Sequence, residues 1–193
     1  MKHALRWIPF SALVALALSS AAAQAADAAA LATTTDAGTQ ASAWQHHQAK
    51  FSFMGFTTAY SCDGVEGKVK SILKFFGARN PQADASGCPR GPDSLSHTIW
   101  LNVEFDSLRA APANTPSSDV VQARWTPVRL DGQRPFFMGE GDCELIYAMK
   151  SVLTDAFSFQ NLSYETSCTP HEVTFNDFRV KGEVLKSPQE HKG

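Results

Sequence analysis

Four cysteines, Cys62, Cys88, Cys143 and Cys168, are the residues of this 193-residue chain whose chemistry their spacing constrains most. None stands in Cys-x-x-Cys, which removes the redox-active arrangement, and the paired short spacings of a zinc site are missing too. An even set in an oxidising compartment reads as two structural disulfides. Of the other reactive types, His46-His47 offers imidazole for a divalent metal but has no third ligand at a fixed spacing. Glu140, Asp142 and Glu144 alternate as Ca²⁺ ligands can, yet the run is short and lacks the glycine and distal Glu of a calcium loop. Helix capping already explains Asp142 and Glu144. Ser71 and Lys74 have the Ser-x-x-Lys spacing of penicillin-recognising enzymes without the elements that accompany it. No phosphate loop, nucleophile elbow or dinucleotide fingerprint occurs. The chemistry-bearing residues thus imply no cofactor, no metal centre and no catalytic residue; His46, His47, Glu140 and Asp142 remain weak metal candidates.

The compartment comes from the N-terminus. Lys2 and Arg6 precede an uncharged apolar stretch at 7–18, and Ala23-Gln24-Ala25 places small residues at −3 and −1 of a cleavage site. That is a secretory signal peptide over 1–25, cleaved after Ala25, and its apolar part is short of the roughly 18 residues of a membrane span. Losing Lys2 and Arg6 takes the 17 basic groups to 15 against 19 acidic ones, a net of −4. Such a balance gives no footprint for nucleic acid or an anionic membrane. Residues 26–49 read as a flexible Ala/Thr-rich leader, 50–186 as a single disulfide-braced domain, and 187–193 as a frayed tail.

The elements that must carry the cysteines follow an internal pattern. Lys70-Ser71-Ile72-Leu73 recurs as Lys150-Ser151-Val152-Leu153, each with a cysteine shortly before it and another 15 residues after its Leu. In the first copy Asp63 reads as an N-cap with Glu66 completing a capping box. Val65, Val69, Ile72, Leu73 and Phe76 form one helical face, and Gly77 ends the helix. In the second, Asp142 is placed to cap, and Leu145, Ile146, Met149, Val152, Leu153 and Ala156 form the matching stripe. Ile99, Leu101, Val103 and Phe105 alternate with polar positions as in a half-buried strand. Weaker strand runs lie at 51–61, 120–130, 135–139, 160–167 and 172–185, and 106–119 reads as an exposed loop. The expectation is an α+β fold: two strand–helix–strand–strand halves forming a mostly antiparallel sheet with two helices on one face, ferredoxin-like or related. The repeat favours the pairs Cys62–Cys88 and Cys143–Cys168, each closing a loop worth roughly 3.5 kcal/mol on chain-entropy reasoning.

Thirteen Phe and four Trp are ample for a core. Trp100, however, falls on the face opposite Ile99 and Leu101, so Trp100 and Trp125 are expected to line an open sheet face. That face is the candidate surface for a protein, peptide or glycan partner, or for a second copy in a homodimer. The segments Tyr60-Ser-Cys-Asp-Gly and Gly141-Asp-Cys-Glu-Leu resemble a set of uncharacterised exported bacterial proteins over about 55–175. The resemblance implies a bacterial exported context and brings no activity or site residue.

The reading that results is a periplasmic or secreted non-catalytic binding module of the envelope. The alternatives are a small envelope hydrolase or metal-dependent enzyme built on residues such as His97, His171 and Glu140, and a self-associating structural envelope protein.

Overall fold

The computed structural model describes residues 38–89, 94–168 and 178–188. They form β1 (Thr39–Met54), α1 (Cys62–Phe75), β2 (Arg79–Ser86), β3 (Thr98–Ala110), β4 (Val121–Asp131), α2 (Cys143–Ala148), α3 (Lys150–Ala156), β5 (Phe159–Thr166) and β6 (Phe178–Lys186). The strands make one sheet of order β2-β3-β1-β4-β6-β5, antiparallel at every pairing. The α+β class and the antiparallel sheet stand as expected, but the elements do not follow the ferredoxin-like β-α-β-β-α-β plan. Strand–helix–strand–strand occurs twice, yet the first helix is continuous and the second breaks at Met149, so a residue-level repeat is not evident.

The helices form because their apolar residues fall at helical spacing, and all of them bury one stripe on one face of the sheet. Val65, Val69, Ile72, Leu73 and Phe76 meet Leu145, Ile146, Met149 and Leu153 over Ile99, Leu101, Val103, Phe105, Leu130, Val180 and Val184 in a single core. The N-cap of α1 is Ser61, whose Oγ accepts from the Gly64 N–H, rather than Asp63; Glu66 reaches away to accept from the Ala85 N–H. Gly77, at φ +94°, turns the chain out of α1 as expected. Each half holds the helix of the other by its carbonyl end. Ser107 and Arg109 of β3 donate to the carbonyls of Ala156 and Asp155, and Lys186 of β6 donates to that of Phe75.

Several expected boundaries move. The chain is already in the sheet at Thr39, so the leader does not extend to residue 49. Its Ala, Ser, Gln and His residues form a strand because β3 pairs with 13 consecutive residues of β1, Ser42–Met54. The loop expected at 106–119 begins only after Ala110, the strand expected at 51–61 ends at Met54, and 135–139 is a turn closed by the Met138 N–H to the Pro135 carbonyl. β2 has no alternating sequence signal, because Pro81 and the left-handed Asn80 break its pattern. Disulfides join Cys62 to Cys88 and Cys143 to Cys168, with Cα atoms 5.9 and 5.7 Å apart. Each ties a helix start to the end of the strand that follows. No helix among the described residues is long and apolar enough to cross a membrane.

Candidate binding groove

The site begins where β1 and β4 part. They pair only through Thr39–Ser42, after which β1 continues to Met54 with β3 on one side and, among the described residues, no strand on the other. Accessibility follows the same division. Leu101, Val103 and Phe105 of β3 are buried, whereas their cross-strand partners Phe51, Ala49 and His47 are each half-buried. The helix pair α2–α3 runs beside this second edge and leaves a groove.

Two cavities lie along it. One, of about 280 Å³, is lined on the strand side by the consecutive residues His47, Gln48, Ala49 and Lys50 with Phe105 of β3, and on the other by Ser151, Val152, Asp155 and Ala156 of α3. Successive strand residues point to opposite faces, so four in a row line one cavity only if it reaches the strand's edge as well as the helix-side face, where Phe105 lies opposite His47. The second, of about 590 Å³, lies further along, among Ser52, Met54 and Phe56, Tyr147 and Ala148 of α2, and Thr166–Cys168. Its lining is mostly apolar, and Met54, Phe56 and Tyr147 are each more than half exposed there.

A polar latch fixes the wall between Met54 and α1. The Glu144 carboxylate, at the start of α2, accepts from the backbone N–H groups of Phe56 at 2.9 Å, Thr57 at 3.2 Å and Thr58 at 3.4 Å. Three successive N–H donors around one carboxylate form an anion nest whose occupant is the protein's own side chain. Thr58 Oγ1 donates to the Gly141 carbonyl at 2.6 Å, and the chain packs so closely here that a Cβ at Gly55 would meet the Thr58 carbonyl. Asp142 is buried and accepts from Lys68 Nζ at 2.7 Å, from the Gly139 N–H at 2.6 Å and from the Tyr60 hydroxyl. Burial first, and the Asp142 carboxylate second, push the Tyr60 hydroxyl well above its ordinary range, so it stays a donor. Asp142 therefore makes no side-chain cap to α2 but clasps the segment before it onto α1.

The expected metal candidates do not converge. His46 and His47 are neighbours on β1 and point to opposite faces. His46 Nδ1 lies 3.1 Å from Asp106, which Arg79 also contacts from its place over the Trp44 ring. Asp142 is committed to Lys68, and the side chain of Glu140 lies outside the described residues. Among the described residues no three His, Cys, Asp or Glu side chains are grouped to hold a metal. Of the hydrolase residues, His97 Nδ1 bonds the Gly55 carbonyl at 2.9 Å, and His171 lies outside the described residues. Ser71 donates to the Gly67 carbonyl, one turn back, rather than pairing with Lys74.

One nucleophile–base pair was not visible in the sequence: Ser107 Oγ lies 3.0 Å from His47 Nε2, 60 residues away. Ser107 is wholly buried and its proton goes to the Ala156 carbonyl, so His47 Nε2 carries the other hydrogen and donates to Ser107. A serine so committed caps a helix rather than attacking a substrate.

Trp100 and Trp125 share the face away from the helices but form no common patch. Trp100, 55% exposed, stands opposite Ser52 with its ring over Gly87. Trp125 lies at the other end of β1, beside Gly38, in a small apolar cluster with Trp44, Leu108 and Leu185. No known protein family, curated protein or solved structure matches this chain.

Proposed function

We propose that the chain is an exported, non-catalytic binding module of the bacterial envelope, and that it binds its ligand in the groove between β1 and the α2–α3 pair. One observation carries the reading. The 590 Å³ cavity is mostly apolar, opens to solvent, and is walled by a segment that Glu144 and Asp142 hold rigid. Ligand sites combine an apolar, preformed cavity with a few fixed polar groups. The signal-like N-terminus and the two disulfides support maturation in an oxidising compartment. A second site is favoured by one observation alone, the exposure of Trp100 on the opposite face.

Photo-crosslinking separates the two. With benzoylphenylalanine at Met54, envelope extract is expected to yield one discrete adduct that disappears in the Tyr147→Ser background. An adduct formed from position 100 and not from position 54 would move the site to the open face.

A further inference from the structure

We propose that the ligand of this groove is an extended peptide segment that adds to the 43–54 edge of β1 as a further strand. The proposal rests on the groove being the binding site, and it names the class of ligand.

Four observations converge. The first is the edge itself, which has no strand partner among the described residues. A strand paired on one side presents a row of N–H and C=O groups on the other, and such rows are templates for strand addition. The second is that both cavities open on this edge, together spanning His47 to Phe56.

The third is a contrast with the other strand edges. β2 carries Pro81, a register shift between Arg79 and Gln82 beside the left-handed Asn80, and an edge amide taken by Glu66. β5 carries the matching shift between Gln160 and Ser163 beside the left-handed Asn161. β4 carries Pro127. Proline, bulges and edge charges are how proteins keep sheet edges from pairing. β1 has no proline and no bulge, its one lysine is Lys50, and its register to β3 is unbroken from Ser42 to Met54.

The fourth is charge. Lys50 lies midway along the edge, exposed, and takes part in no ion pair among the described residues. Antiparallel pairing of two β1 edges centred on Lys50 would set Lys50 against Lys50, which disfavours a second copy in that register. A foreign strand with an acidic residue opposite Lys50 meets no such conflict. Four residues on, and so on the same face, its side chain reaches the apolar cavity beside Met54. Asp155 lines the helix-side wall of the smaller cavity, so peptide positions facing α3 suit polar rather than acidic side chains.

The probe that fits this pattern in either direction is fluorescein-labelled Leu-Thr-Val-Thr-Asp-Thr-Val-Thr-Leu, with the signal-cleaved, disulfide-bonded chain as receptor. Anisotropy titration is expected to show saturable binding. N-methylation of one alternate set of peptide amides should weaken it at least tenfold, while methylation of the other set is tolerated, because only every second amide faces the edge. Lys50→Glu should weaken binding about fivefold, and exchanging the peptide Asp for Lys should restore it.

No saturable binding at millimolar peptide, or equal tolerance of both methylated sets, overturns strand addition. If the methylated sets are equivalent but Tyr147→Ser still abolishes binding, the groove stands as the site and only the strand mode falls. If the alternate-set signature persists and Tyr147→Ser has no effect, the peptide pairs with another edge and the groove reading falls as well. Concentration-dependent dimerisation that the peptide cannot displace overturns the proposal in favour of a second copy.

Discussion

Replacing Glu144 by Gln should weaken the fold at one identifiable place, the wall of the groove. The carboxylate receives one short charge-assisted bond, from Phe56 at 2.9 Å, and longer or shared ones from Thr57 at 3.2 and 3.3 Å and Thr58 at 3.4 Å. By geometry the set amounts to fewer than three full bonds. A hydrogen bond to a charged group contributes roughly 1.5–3 kcal/mol, and a buried donor left without a partner costs roughly 1–3 kcal/mol. Glutamine keeps one acceptor oxygen but turns an amide NH₂ toward the remaining donors, so the expected loss is about 2–3 kcal/mol. Glu144 also lines the larger cavity, so water reaches the vacated position in Glu144→Ala. That variant should lose about 2 kcal/mol rather than the full cost of three orphaned donors. Urea unfolding with the disulfides intact reads both losses as a midpoint shift at constant slope. A loss below about 0.5 kcal/mol for Glu144→Gln, the size of an ordinary surface change, would refute the view that this nest holds the wall in place.

Non-reducing peptide mapping should recover Cys62 with Cys88 and Cys143 with Cys168, and removing either pair by alanine should cost about 3 kcal/mol; a Cys62–Cys143 peptide would contradict the fold. The His47 imidazole titrates below its ordinary value, chiefly because burial disfavours the charged ring, with Arg109 and then His46 adding to the effect and Asp106 opposing it. The unfolded chain takes up this proton at about pH 6.5, before the native chain does. The stability His47 contributes is therefore complete above that pH and is lost as pH falls from there through the lower native value. His47→Gln should flatten the acid limb of the stability profile between about pH 7 and 5; identical slopes in the two chains would exclude His47 as its source.

Legibility in the sequence followed the strength of the local pattern. The stripes of α1 and of α2–α3 were plain because Val65, Val69, Ile72 and Leu73, or Leu145, Ile146, Met149 and Leu153, are large apolar residues at helical spacing, and all are buried. The disulfide pairing was legible because cysteines 26 and 25 residues apart flank the two helical segments in the same order. β1 was not, since Gln45, His46, His47 and Gln48 carry little strand propensity and become a strand only by pairing with residues 104–107 of β3, some 60 positions away. Asp142 and Glu144 were recognisable as acids at a helix start. Their partners Lys68, Tyr60 and the amides of Phe56–Thr58 lie more than 70 positions away, and no local signal points to them. The groove was the least legible feature, because it exists only where the pairing of β1 with β4 stops at Ser42. No residue type marks that point.

An open β1 edge is the premise of both the groove and its ligand class. Residue-resolved amide exchange by NMR on the free, disulfide-bonded chain reads this without any ligand. The prediction is an alternation from 43 to 54, with every second amide protected by its bond to β3 and the intervening ones exchanging orders of magnitude faster, while residues 101–105 of β3 are protected throughout. Uniform protection along 43–54 would mean that the edge is covered, and would contradict the groove, its ligand class and the function drawn from them.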